Sequence, residues 1–78
     1  MKGRSGLQVA LGRAFRKYRL AAKFSQESFS TSLGMTRIYY GEIERGHKNI
    51  ELSTLERVCK GLKVPIWQVM RDAESDDL

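Results

Sequence analysis

Two polar caps and two glycines punctuate the middle of this chain: Ser25 and Gly34, then Thr36 and Gly46. A Ser or Thr side chain satisfies the free N–H groups at a helix start, and glycine adopts cheaply the left-handed conformation that ends one. The stretch S-Q-E-S-F-S-T-S-L-G-M-T-R-I-Y-Y-G-E-I-E-R-G, from Ser25 to Gly46, therefore reads as two short helices joined by a tight turn, over 26–33 and 37–45. Phe29 and Leu33 face inward from the first. Tyr40, Ile43 and part of Tyr39 face inward from the second.

The flanks are helical too. Pro65 is the only proline, and residues 7–64 hold no other strong breaker than glycine. Alternating β-type runs are absent, and apolar residues recur at helical spacing. Leu11, Phe15, Tyr18 and Ala22 form the stripe of a first helix over 8–22. Leu52, Leu55, Val58, Cys59 and Leu62 form that of a fourth. Its start is ambiguous, because Ser53 and Glu56 match a capping box while Leu52 fits the stripe. Burying Leu52 is worth about 1.5–3 kcal/mol, against about 1 kcal/mol for a better cap, which favours Glu51 as the cap. A short fifth helix follows Pro65, with Ile66, Val69 and Met70 on one side. The chain thus reads as all-α, with a flexible N-terminus at 1–6, one domain at 7–72 and an acidic flexible tail at 73–78.

Size and charge exclude several classes. With 78 residues, one Cys and one His, neither an internal disulfide nor a zinc site can be built. No metal, cofactor or membrane span is expected, and a reduced cytoplasmic setting fits the lone Cys59. An enzyme is not expected either: there is no nucleophile–base pair, and His47 sits in a loop. The net charge of +5 is uneven, with ten Lys/Arg against three Asp/Glu in residues 1–50 and four against six in residues 51–78. Basic charge concentrated beside the 37–45 helix suits a polyanion. Two short capped helices beside such charge have the layout of a helix-turn-helix, whose second helix enters a DNA major groove.

Leu11-Gly12-Arg13, Phe24-Ser25-Gln26-Glu27, Leu33-Gly34-Met35-Thr36-Arg37, Ile43-Glu44-Arg45-Gly46 and Leu52 through Val64 together resemble the Cro/C1-type (XRE) helix-turn-helix family. The resemblance covers about 60 of the 78 residues without a gap. Arg37, Tyr39, Lys48 and Asn49 further resemble the controller proteins of restriction–modification systems. The resemblance implies a five-helix, lambda-repressor-like DNA-binding domain acting as a homodimeric transcription regulator on double-stranded DNA. It leaves open an antitoxin or other protein-interaction module built on the same fold. No small-molecule ligand is expected.

Residue roles follow from that resemblance and from chemistry. Arg37 suits a bidentate contact to guanine O6 and N7, or else a phosphate. Ile38 suits a thymine methyl, or is an ordinary surface residue. Glu42 either accepts from cytosine N4 or pairs with Arg45 or Arg37. Gly41 is expected to face the groove and clear space for DNA. Gln26, Thr36, Tyr39, Arg45, Lys48 and Asn49 are candidates for the DNA backbone. Arg19 and Glu44 match a family ion pair that holds the third helix against the first. Lys23 stands where the family usually has Gly. Trp67, with Ile66, Met70 and Val64, is the candidate dimer interface; otherwise Trp67 folds back over helix 4 or helix 1.

Overall fold

A computed structural model describes residues 6–75. Five helices follow in order: α1 (Gly6–Ala21), α2 (Gln26–Ser32), α3 (Arg37–Glu44), α4 (Leu52–Leu62) and α5 (Ile66–Glu74). Both expected caps form. The Ser25 hydroxyl accepts from the Ser28 N–H at 2.9 Å, and the Ser28 hydroxyl accepts in return from the Ser25 N–H at 3.1 Å. Serine here takes the reciprocal place that Glu or Gln holds in the usual capping box. The Thr36 hydroxyl accepts from the Tyr39 N–H at 3.0 Å.

The first four helices all end alike. In each, an N–H beyond the helix reaches back to a carbonyl five residues earlier: Phe24 to Arg19, Met35 to Ser30, His47 to Glu42 and Val64 to Cys59, at 2.9–3.1 Å. This closure needs one left-handed residue. Gly34 and Gly46 supply it after α2 and α3, and Lys23 and Lys63, with φ of 68° and 61°, supply it after α1 and α4. At Gly46 space matters as well as φ, because a Cβ there would stand 2.8 Å from the Val9 Cα.

The core gathers apolar residues from every helix. Phe15, Phe29, Tyr40, Val58 and Val69 are fully enclosed. Phe29 of α2 meets Tyr40 of α3 edge to face at 5.3 Å, which sets the two helices of the central pair against each other. Cys59 is buried on α4, and burial pushes its thiol up from its ordinary value.

Several expectations change. α4 does begin at Leu52 after Glu51, but Leu52 is 82% exposed and Glu51 makes no side-chain cap bond. Burial of Leu52 is therefore not what starts the helix. Ala22 lies outside α1 and is exposed. Ile66 is 38% exposed rather than core, while Val69 is enclosed as expected. Ala73, assigned to the tail, is 3% exposed within α5, so packing reaches beyond 72. Gly6, assigned to the N-terminus, is the first residue of α1. The rest of both terminal assignments, 1–5 and 76–78, lies outside the described residues. None of the described helices is long and apolar enough to cross a membrane.

Candidate nucleic-acid interface

α3 is locked on one side and open on the other. Tyr40, Gly41, Ile43 and Glu44 are buried, whereas Arg37 and Ile38 at its first turn are exposed, Ile38 by 69%. What locks it is an ion pair inside the fold. Arg19 of α1 donates from Nε to Glu44 Oε2 at 2.7 Å and from Nη2 to Oε1 at 3.1 Å. Its Nη1 also donates to the Phe24 carbonyl at 2.8 Å, which ties in the turn before α2. Both side chains are almost fully enclosed. Burial works against the Glu44 charge. The Arg19 guanidinium, the neighbouring Tyr40 hydroxyl and the Gln26 amide outweigh it and hold the carboxyl below its ordinary value. Bonding to Glu44 likewise raises Arg19.

α1 comes close enough for this pair because residue 12 is glycine. A Cβ there would lie 2.3 Å from the Glu44 carbonyl oxygen. Gly12 was legible only as part of a family motif. Its contact with α3 has no signal in periodicity.

The candidate DNA residues lie at the start of α2, on and just before α3, and in the segment after it. Thr36 and Arg37 stand at its start, and Tyr39 is half-buried. Glu42 pairs with Lys48, Nζ to Oε1 at 3.4 Å, a partner not expected from the sequence. The same ammonium lies 5.9 Å from the Tyr39 ring centre. Lys48 is held from behind as well, since Gln8 Nε2 donates to its carbonyl at 2.7 Å. Arg45 and Asn49 are exposed. Gln8 escaped the sequence reading because its partner lies 40 positions away in the chain.

Two placements differ from expectation. Gln26 does not simply face solvent: its Nε2 donates to Glu44 Oε1 at 2.9 Å, so it backs the ion pair. Gly41 is buried, and the atoms nearest a Cβ there would be Arg45 Nη1 and Gln26 Oε1, at 3.4 and 3.5 Å. It therefore faces the start of α2 rather than an open groove.

The candidate dimer residues lie on α5 and just before it. Trp67 is 62% exposed, with the Arg71 guanidinium 5.3 Å from its ring centre, so it does not fold back over helix 4 or helix 1. Val64 and Met70 are half-buried against the core. Behind Trp67, the Tyr18 hydroxyl donates to Asp72 Oδ2 and accepts from Gln68 Nε2 at 3.0 Å. The bond to Asp72 raises the Tyr18 phenol and holds the Asp72 carboxyl below its usual range. Among the described residues no cluster of three or more His, Cys, Asp or Glu could hold a metal ion.

Comparison with known proteins agrees with this geometry. A helix-turn-helix family model matches residues 15–66. The control protein C.MunI from a Mycoplasma species is 31% identical over 71 residues, covering 90% of this chain and 96% of that protein. The crystal structure of the clp gene regulator ClgR from Corynebacterium glutamicum superposes with a TM-score of 0.86 at 26% identity, over 92% of this chain and 94% of that one. The restriction–modification controller C.Esp1396I, solved as a tetramer in complex with its natural 35 base-pair operator, superposes at 0.79 with 26% identity, over 88% and 95%. A buried clamp behind a capped, open-faced α3 and these relationships have one reading: the chain belongs to the Cro/C1-type helix-turn-helix family of DNA-binding transcription regulators.

Proposed function

We propose that the chain binds a palindromic operator as a homodimer, each copy laying the open side of α3 in a major groove. The observation that carries this is the exposure of Arg37 and Ile38 on a helix whose opposite side is fixed by the Arg19–Glu44 pair. A base-reading side chain discriminates only if its helix cannot drift. Arg37 donates to guanine O6 and N7, and Ile38 packs on a thymine methyl. Glu42 lies one turn beyond Ile38. Lys48 neutralises it, which reduces repulsion from phosphates and leaves it able to accept from cytosine N4.

The backbone is gripped by Thr36, Tyr39, Arg45, Lys48 and Asn49. Gln26 joins them through its second amide hydrogen, because Glu44 uses only one. The partner copy sits on Trp67, Ile66, Val64 and Met70. Exposure of Trp67 beside half-buried apolar neighbours supports this, as does the tetrameric assembly of C.Esp1396I on its operator. Two such copies would set their α3 helices about 34 Å apart.

Selection from random duplex DNA tests the reading and should return a palindrome with two equal half-sites. Arg37→Ala should relax preference at one base pair by about 1–3 kcal/mol while leaving other positions intact. Equal weakening on selected and random duplex would remove Arg37 from base reading. Affinity that hardly changes with salt would overturn DNA binding through the basic face.

A further inference from the structure

We infer that Tyr18 is a positioning residue that sets the spacing between half-sites, by fixing the rotation of α5 and thus the direction in which Trp67 points. This rests on the dimeric reading above. α5 buries two residues completely, Val69 and Ala73, with Met70 half-buried against the core. The burial of apolar surface is itself non-directional, so hydrogen bonds add a restraint on the rotation of this nine-residue helix that burial alone does not give.

The polar contacts supply the direction. Gln68 and Asp72 are four apart on one side of α5, and both grip the single Tyr18 hydroxyl from α1. Trp67 and Arg71 are also four apart, each one residue earlier, and they stack on each other. One residue is about 100° of helix, so pinning the first pair aims the second. Arg19, the very next residue of α1, holds Glu44 of α3. Adjacent residues of one helix therefore fasten the reading helix on one side and the pairing helix on the other. An error in α5 rotation would pass directly into the angle between two reading helices. DNA is unforgiving of such an error: one added base pair shifts the second half-site by about 3.4 Å and rotates it by about 35°.

The test uses the full chain and operators in which the two selected half-sites are moved apart by one or two base pairs. Binding is followed by fluorescence anisotropy, with a single half-site as control and thermal unfolding as a check on folding. The unmodified protein should favour its selected spacing by about tenfold or more per added base pair. Tyr18→Phe removes both hydrogen bonds, and Asp72→Ala removes the acceptor. Each should shrink that preference to about threefold or less while single half-site affinity stays within about twofold. Asp72→Asn keeps an acceptor oxygen for the Tyr18 hydroxyl and should restore the preference. If Tyr18→Phe does not fold, Asp72→Ala carries the test. Unchanged spacing preference in the variants would overturn the inference, as would a uniform loss on every operator and on the half-site. If the unmodified protein is itself indifferent to spacing and symmetry, the dimeric reading fails, and this inference with it.

Discussion

Glu44 carries a charge inside the fold, and its environment decides at which pH that charge stabilises. Its carboxyl titrates below the ordinary value despite burial, because Arg19 and Gln26 bond to it. A depressed folded value means the contribution is complete above the unfolded value, about 4.3, and is lost as pH falls through the lower folded one. Glu44→Gln should cost about 3–5 kcal/mol at neutral pH, since it leaves the Arg19 charge enclosed without its partner. It should also flatten the acid limb, and urea unfolding across the acid range measures both effects. Lys23 presents the opposite case, a residue whose cost lies in its backbone. At φ 68° it occupies a region that a side chain disfavours. Lys23→Gly should gain about 1 kcal/mol in the same unfolding measurement. The ion pair was legible through family resemblance alone, and the strain at Lys23 through the missing glycine. Gln26 was only half legible: its polarity suggested a phosphate, and its bond to Glu44 depends on how α2 meets α3.

At the level of elements, two glycines separate close approach from spare room. Gly12 lies where α1 crosses the end of α3, and an added Cβ would collide with main chain at 2.3 Å. Gly12→Ala should therefore push the helices apart, strain the Arg19–Glu44 pair and lower the melting temperature sharply. Gly41 meets only the ends of two flexible side chains. Gly41→Ala should fold as well as the parent or better, because alanine gains about 1 kcal/mol in a helix interior. Thermal unfolding of the two variants checks the contrast. The existence and order of all five helices and the caps of α2 and α3 were legible, because caps and apolar spacing act within a few residues. The direction in which Gly41 faces was not, since a missing side chain leaves no apolar or polar mark. Leu52 misled for a related reason. It continues the α4 stripe in sequence, but the stripe runs past the end of what α4 packs against, and Leu52 is left exposed.

In the whole molecule Trp67 is a large apolar side chain left uncovered by the single chain. With 62% of its surface exposed, it contributes little to the single chain, so Trp67→Ala should barely move the melting temperature of the monomer. In the dimeric reading it should instead shift sedimentation equilibrium toward monomer and weaken operator binding far more than binding to one half-site. Equal sedimentation of parent and variant would exclude Trp67 from the interface. By itself the sequence determined an all-α chain, the capped pair Ser25–Gly46 and an excess of basic charge in residues 1–50, because short-range hydrogen bonding, hydrophobic periodicity and charge are written into neighbouring residues. Only the tertiary structure decided that Gln26 backs Glu44, that Glu42 takes Lys48, that Ala73 belongs to the core, and that Tyr18 grips Gln68 and Asp72. The physical reason is that these partners are chosen by how helices cross. A crossing depends on which side chains are small enough to let two helices meet, as Gly12 does for α1 and α3.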